Sequence, residues 1–236
     1  MNVFTIKVAG YNFEIKTHSD FSYRMCIPFI TNEEPDFRIE LLKKDIENTN
    51  GSKANLTEKQ KDDIDSFLTL LRRIADILVD FDVLLIHGAA ISVDERAYLF
   101  TGKSGTGKTT HIFRWLQNRP DLTIVNGDKP FIRFEDTPMV CGSPWCGKEG
   151  LFSNVMKPLK SVIMLERSEN NSIRQVSFSE ALPILLQSIY YSEDYEKKLK
   201  AIKLLKALDG KVNFYIYQMN NLKKDCFKIV YDTVHR

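Results

Sequence analysis

The chain has no Cys-x-x-Cys pair, no long apolar run and almost no excess of charge, and each of these gaps closes off a class of function. Its four cysteines are Cys26, Cys141, Cys146 and Cys226, and its four histidines are scattered along the sequence. That distribution argues against a structural zinc site. Free thiols in a chain without an export signal fit a reducing cytoplasm, and a cytoplasmic protein is expected. The opening Met-Asn-Val-Phe-Thr-Ile-Lys-Val lacks a basic stretch followed by an apolar one, so no secretory leader is expected. No segment approaches the roughly 18 apolar residues that a membrane span needs. A formal charge of +2 at pH 7 is too small to make nucleic acid or an anionic membrane the main partner. There is no internal repeat and no low-complexity tract.

What is present is an ordinary globular composition, 43% hydrophobic and 27% charged over 236 residues. That length is enough for a sizeable core, in one domain or one domain with an N-terminal extension. Residues 3–9 and 12–16 alternate apolar and polar around Ala9-Gly10-Tyr11-Asn12, which predicts a hairpin. Residues 37–42 read as a further strand. The polar stretch 43–63, centred on Asn48-Thr49-Asn50-Gly51-Ser52, reads as a surface loop and as the domain boundary. The expected division is an N-terminal β-rich extension, 1–56, and a core, 57–236. Ile64, Phe67, Leu68, Leu71, Ile74, Ala75 and Leu78 fall at helical spacing and predict an amphipathic helix. Strands are expected at 83–86, 90–93, 97–101, 122–125, 131–134 and 161–165. Helices are expected near 181–189 and 195–208, then a strand at 212–217 and a last helix at 222–233. The fold class is α/β: a strand-rich nucleotide-binding core with an N-terminal β-hairpin and C-terminal helices.

One stretch carries most of the chemistry. Residues 102–109 read Gly-Lys-Ser-Gly-Thr-Gly-Lys-Thr, which is Gly, four residues, Gly, Lys, then Ser or Thr. A chance match is expected in roughly one of a few hundred such sequences. Gly102, Gly105 and Gly107 allow the backbone to curl with its N–H groups toward phosphate oxygens. Lys108 can reach the β- and γ-phosphates, and the Thr109 hydroxyl can ligate Mg²⁺. A buried-strand run, 97–101, precedes the loop and a helical segment, 110–116, follows it, so a helix N-terminus is aimed at the anion. Lys103, Ser104, Thr106 and Thr110 complete the expected nucleotide contacts, with ATP and Mg²⁺ as cofactors.

A phosphate loop alone does not separate a kinase from a GTPase, an ATP-driven machine or a sensor, so a second acidic group matters. Asp128 ends the strand-like run 122–125 and its Asn126-Gly127-Asp128 extension, twenty positions after Lys108. A carboxylate at a strand end beside the loop can hold Mg²⁺ or accept a proton from an attacking hydroxyl. Asn-Gly-Asp is also good turn chemistry. Glu166 is a rival carboxylate, unless it simply pairs with Arg167. His87, in Ile86-His87-Gly88-Ala89-Ala90, could donate to a phosphate, though a lone histidine at a strand end is also a common structural group. The stretch 142–150, Gly-Ser-Pro-Trp-Cys-Gly-Lys-Glu-Gly, has two readings: Lys148 touching phosphate and Glu149 holding metal, or a loop anchored by a buried Trp145.

The runs His87-Gly88-Ala89-Ala90-Ile91, Tyr98-Leu99-Phe100-Thr101-Gly102 with the loop, and Asn126-Gly127-Asp128-Lys129-Pro130 resemble HPr kinase/phosphorylase. That family belongs to the phosphoenolpyruvate carboxykinase-like group of phosphate-loop proteins. The chain looks more closely like the small HPr-kinase-like proteins of bacteria, some of which accompany peptide-maturation systems and phosphorylate a serine. The resemblance covers residues 83–167. It implies an active-site histidine at His87 and a base toward a serine hydroxyl at Asp128. Where the family often carries two adjacent acids, this chain has Gly127 before Asp128. The family's basic loop for phosphorolysis has no counterpart placed here, so the expected activity is the kinase reaction on a serine-bearing protein or peptide. The expected catalytic set is Asp128, His87 and Lys108, and the expected metal set is Thr109, Asp128 and Glu149. A nucleotide-binding regulatory module and a kinase for a small molecule such as free serine are the alternatives, and a homo-oligomer is left open.

Overall fold

In the computed structural model, residues 1–46, 56–220 and 226–234 are described. The chain forms two compact units, Met1–Leu78 and Val79–Arg236. The centre of the expected boundary, residues 47–55, lies outside the described residues. The division itself falls at the end of the long helix, which the expected boundary at 56/57 assigns to the core.

The N-terminal unit is built on the expected hairpin. Strands β1 (Asn2–Val8) and β2 (Tyr11–Thr17) pair antiparallel, with Val8 opposite Tyr11. Ala9 and Gly10 turn the chain with positive φ of 51° and 88°, the geometry a two-residue hairpin loop demands. Alternation puts Phe4, Ile6, Phe13 and Ile15 inside, and the register pairs Phe4 with Ile15 and Ile6 with Phe13. Strand β3 (Phe37–Leu41) joins β2 in parallel. Helix α1 (Asp20–Cys26) starts where the Ser19 hydroxyl accepts from the Ser22 N–H. Helix α2 (Glu58–Val79) is longer than its periodic core predicts. It is tied to α1 by an edge-to-face contact between Phe67 and Phe21 and to β3 by an Arg73 hydrogen bond to the Glu40 carbonyl.

The C-terminal unit is a mixed nine-stranded sheet with helices on both faces. Its strands are β4 (Val83–Leu85), β5 (Gly88–Val93), β6 (Arg96–Thr101), β7 (Thr123–Asn126), β8 (Phe131–Arg133), β9 (Met139–Cys141), β10 (Met156–Arg167), β11 (Ser172–Val176) and β12 (Asn213–Met219). The order is β4-β8-β9-β10-β6-β5-β7, and β12 lies against β10 and carries β11 on its far side. β10 spans the junction: its first residues pair antiparallel with β9, and the rest runs parallel to both β6 and β12. The helices are α3 (Lys108–Asn118), α4 (Phe178–Leu186), α5 (Tyr195–Lys206) and α6 (Cys226–Val234). The start of the expected last helix, 222–225, lies outside the described residues.

The strand β6 shows how the sequence selects this arrangement. Ala97 and Leu99 point to the face covered by α4 and α5, through Ala181, Leu185, Ala201 and Leu205. Tyr98 and Phe100 point to the other face, against Ile112 and Trp115 of α3 and Val230 and Val234 of α6. A strand apolar on both faces is what a sheet between two helical layers requires, and each large side chain so buried contributes about 1.5–3 kcal/mol. The parallel pairing of β6 with β10 puts Thr101 opposite Met164. The carboxyl ends of these two strands therefore lie side by side, where ligands gather in sheets of this kind.

Candidate functional site

The glycine loop follows β6 without a break. Gly102, Gly105 and Gly107 hold φ of 143°, 78° and 102°, values that side-chain-bearing residues rarely adopt. At Gly102 the constraint is also spatial, since a Cβ there would sit 2.7 Å from the Leu165 carbonyl oxygen of β10. Gly107 caps α3, so the free N–H groups of that helix open directly onto the loop. The Thr106 hydroxyl donates to the Lys103 carbonyl at 2.9 Å and closes the bend. Lys108, 8% exposed, hooks back across it, donating to the carbonyls of Gly102 at 3.0 Å and Lys103 at 3.4 Å. Burial pulls the Lys108 pKa down, with the Asp128 charge opposing and the Lys129 charge adding to that pull. Thr109 and Thr110 stand on the first helical turn, half-buried and exposed respectively, and Lys103 and Ser104 are exposed at the rim.

His87 and Asp128 meet beside this loop. His87 Nε2 lies 3.2 Å from Asp128 Oδ1, and Lys129 Nζ lies 3.3 Å from Oδ2. Backbone contacts fix the pair: Gly88 is paired with Thr101 across β5 and β6, and its N–H donates to the Asp128 carbonyl at 3.0 Å. The His87 N–H donates to the Ser188 carbonyl at 2.7 Å, just past α4. Burial works to raise the Asp128 pKa, but the His87 hydrogen bond and the Lys129 and His87 charges outweigh it, and the carboxyl ends below its usual range. Asp128 is therefore ionised at neutral pH.

Glu149 reaches the same place from another loop. A Cβ on Gly147, whose φ is 79°, would lie 3.2 Å from Asp128 Cβ and 3.4 Å from Glu149 Oε2, so both acids flank that glycine. The 142–150 stretch has two halves: Trp145 and Cys146 are buried, as a loop anchored by Trp145 requires, whereas Gly147, Lys148, Glu149 and Gly150 are exposed. Among the described residues no hydrogen bond or ion pair joins Thr109 to either carboxylate, and no group of three or more His, Cys, Asp or Glu side chains is arranged to hold a metal ion. The donors present, one hydroxyl and two carboxylates, are hard oxygens of the kind Mg²⁺ uses when substrate phosphates fill its remaining positions. Glu166 does not pair with Arg167. Instead, Arg167 reaches sideways and donates to the Gly105 carbonyl.

The loop, His87 and the end of β10 line a cavity of about 700 Å³, together with Ile184 of α4 and with Gln187 and Ser188 just past it. Its volume lies in the range of small-molecule sites.

No protein-family model matches the sequence, and no curated protein matches it. Solved structures do match by shape, among them the Hpr(Ser) kinase/phosphatase from Coxiella burnetii. That comparison covers 63% of this chain and 95% of the other, at 13% identity and a TM-score of 0.39. The similarity is distant.

The residue that sequence reasoning passed over is Asn126. Fully buried, it accepts from the N–H groups of Asp128 at 2.8 Å and Lys129 at 2.7 Å, and it donates to the Ser143 carbonyl and hydroxyl at 2.9 and 3.0 Å. Ser143 in turn donates to the Lys129 carbonyl at 2.7 Å. The Asn-Gly-Asp segment is thus a turn and also the mount for Asp128. Its available signal was the Asn two positions before an acid, an Asx-turn pattern.

Proposed function

We propose that the chain is an ATP- and Mg²⁺-dependent kinase that transfers the γ-phosphoryl group to a hydroxyl, with a serine of a protein or peptide as acceptor. The observation that carries this reading is an ionised Asp128, bridged by His87 and Lys129, beside a glycine loop that ends in a buried lysine. The loop N–H groups and Lys108 would hold the β- and γ-phosphates, and the Thr109 hydroxyl with Asp128 and Glu149 would hold the metal. Bound Mg²⁺ would neutralise charge on the phosphate oxygens. Asp128 would accept the acceptor's proton as the new O–P bond forms and the bond from the γ-phosphorus to its bridging oxygen breaks, releasing ADP. His87 would orient Asp128 rather than react. Phosphoryl transfer depends mainly on positioning and charge stabilisation, so a compact set of this kind is sufficient equipment. The choice of serine is supported by the sequence resemblance over residues 83–167.

Labelled ATP offered with peptides, carrier proteins and free serine tests the reading. Asp128→Asn is expected to lower transfer by about 10²–10⁴ while nucleotide binding survives. Unchanged transfer in that variant would move the base elsewhere. Nucleotide binding with no labelled acceptor of any class would favour a regulatory module, a reading that Gly127 in place of a second adjacent acid also supports.

A further inference from the structure

We infer that Arg167 is a second phosphoryl-binding cation, supplied by β10, that contacts the terminal phosphate of the bound nucleotide. The inference rests on the nucleotide-binding reading above. Arg167 is the last residue of β10, whose carboxyl end lies beside that of β6. Its guanidinium donates through Nη2 to the carbonyl of Gly105, an exposed residue of the loop. That bond uses one of five N–H donors and anchors the flat group at a fixed place. The side chain is otherwise exposed and lines the cavity that also contains Gly102, Lys103, Ser104 and Thr106 of the loop and His87 of the His87–Asp128 pair. The cation thus shares one chamber with the loop and with His87, whose Nε2 lies 3.2 Å from the proposed proton acceptor Asp128. The group that lies between the loop and the proton acceptor in phosphoryl transfer is the γ-phosphoryl. A guanidinium at that place is suited to the charge that spreads over the transferring oxygens.

The neighbouring residues fit this assignment. Glu166 lines the same cavity, yet its charge is felt at Arg174 and its neighbour Arg167 is turned onto the loop. Lys108 is committed inside the bend, to the carbonyls of Gly102 and Lys103. Arg167 is exposed where Lys108 is buried, and it bonds a different carbonyl of the loop, so the two cations would not duplicate each other. A triphosphate would meet both, and a diphosphate would meet Lys108 alone.

Binding of Mg²⁺ with a non-hydrolysable ATP analogue and with ADP, measured by calorimetry on the full chain, tests the assignment. Arg167→Ala is expected to weaken the triphosphate about tenfold or more, the loss typical of a charge-assisted hydrogen bond, and ADP less than threefold. Arg167→Lys keeps the charge without the fork and should fall between the two. Equal weakening of both nucleotides would mean that Arg167 only braces the loop, and unchanged affinities would mean that it makes no contact. Either result overturns the assignment while leaving the nucleotide site in place. If the unaltered chain binds neither nucleotide, and Lys108→Ala behaves the same way, the nucleotide reading falls and takes the assignment with it. Thermal melting of both Arg167 variants checks that they fold, which an exposed position favours.

Discussion

Asp128 shows how a residue's chemistry is set by what surrounds it. Burial alone would favour its neutral form, and the hydrogen bond from His87 with the charge of Lys129 reverses that. Removing the donor should therefore raise its pKa, because burial then acts against Lys129 alone. His87→Ala is expected to shift the acid limb of the pH–rate profile to higher pH, and His87→Gln, which restores a donor, should shift it less. A profile that only scales down would mean that His87 acts on something other than this carboxyl. Asn126 acts one step further back. It makes four hydrogen bonds, two of them buried and two part-buried, and Asn126→Ala leaves the N–H groups of Asp128 and Lys129 without their acceptor. Leaving such groups unsatisfied costs about 1–3 kcal/mol each, so a loss of about 2–6 kcal/mol is expected from urea unfolding.

At the scale of elements, the connections around the site are built against neighbouring backbone and leave little room. Gly142, just after β9, shows this most plainly: a Cβ there would sit 1.9 Å from the Ser153 carbonyl oxygen and 3.0 Å from that of Val125. Backbone cannot move aside as a side-chain tip can, so Gly142→Ala should destabilise by about 3 kcal/mol or more, beyond ordinary overpacking. Gly210 makes a control, with φ of 74° and nothing near its Cβ position. Gly210→Ala should lose only the roughly 1–2 kcal/mol of left-handed backbone strain. Equal losses in the two variants would mean that the backbone around Gly142 yields and that the contact costs little. The strands and helices around these turns were largely legible in the sequence, because the hairpin and α2 repeat a clear two- or near-four-residue period and β6 is a continuous apolar run. The elements that escaped were short or polar. β9 has three residues, β11 is mostly exposed, and α1 has seven residues announced only by its Ser19 cap. Of the site, the loop was readable from glycine spacing. The meeting of His87 with Asp128 depends on β5 and β7 being neighbours, and the role of Arg167 depends on β10 lying beside β6; neither adjacency is encoded by local pattern.

For the whole molecule, a buried group outside the proposed chemistry ties stability to pH. His111 sits on α3 three residues after Lys108, wholly buried against Phe100 and Tyr217 at ring-centre distances of 4.8 and 5.4 Å. Its Nε2 accepts from the Trp115 indole N–H at 2.9 Å, which puts the ring proton on Nδ1, and that atom has no partner among the described residues. Burial lowers its pKa to about 3. The folded chain thus keeps His111 neutral down to strongly acid pH, whereas an unfolded histidine takes up its proton near pH 6.5. Between those values the unfolded state binds more protons, so stability is full above about pH 6.5 and falls steadily as the solution is acidified. The total at stake is on the order of 5 kcal/mol, of which about 2 kcal/mol is lost between pH 7 and pH 5. Urea midpoints at those two pH values, measured for the natural chain and for His111→Gln, isolate the effect. The substitution keeps an acceptor within reach of Trp115 and removes the titration, so it should cost stability at pH 7 and much less at pH 5. Parallel pH dependence in the two proteins would mean that acid sensitivity arises elsewhere, and that the helix behind the glycine loop is not where protonation unlocks the fold.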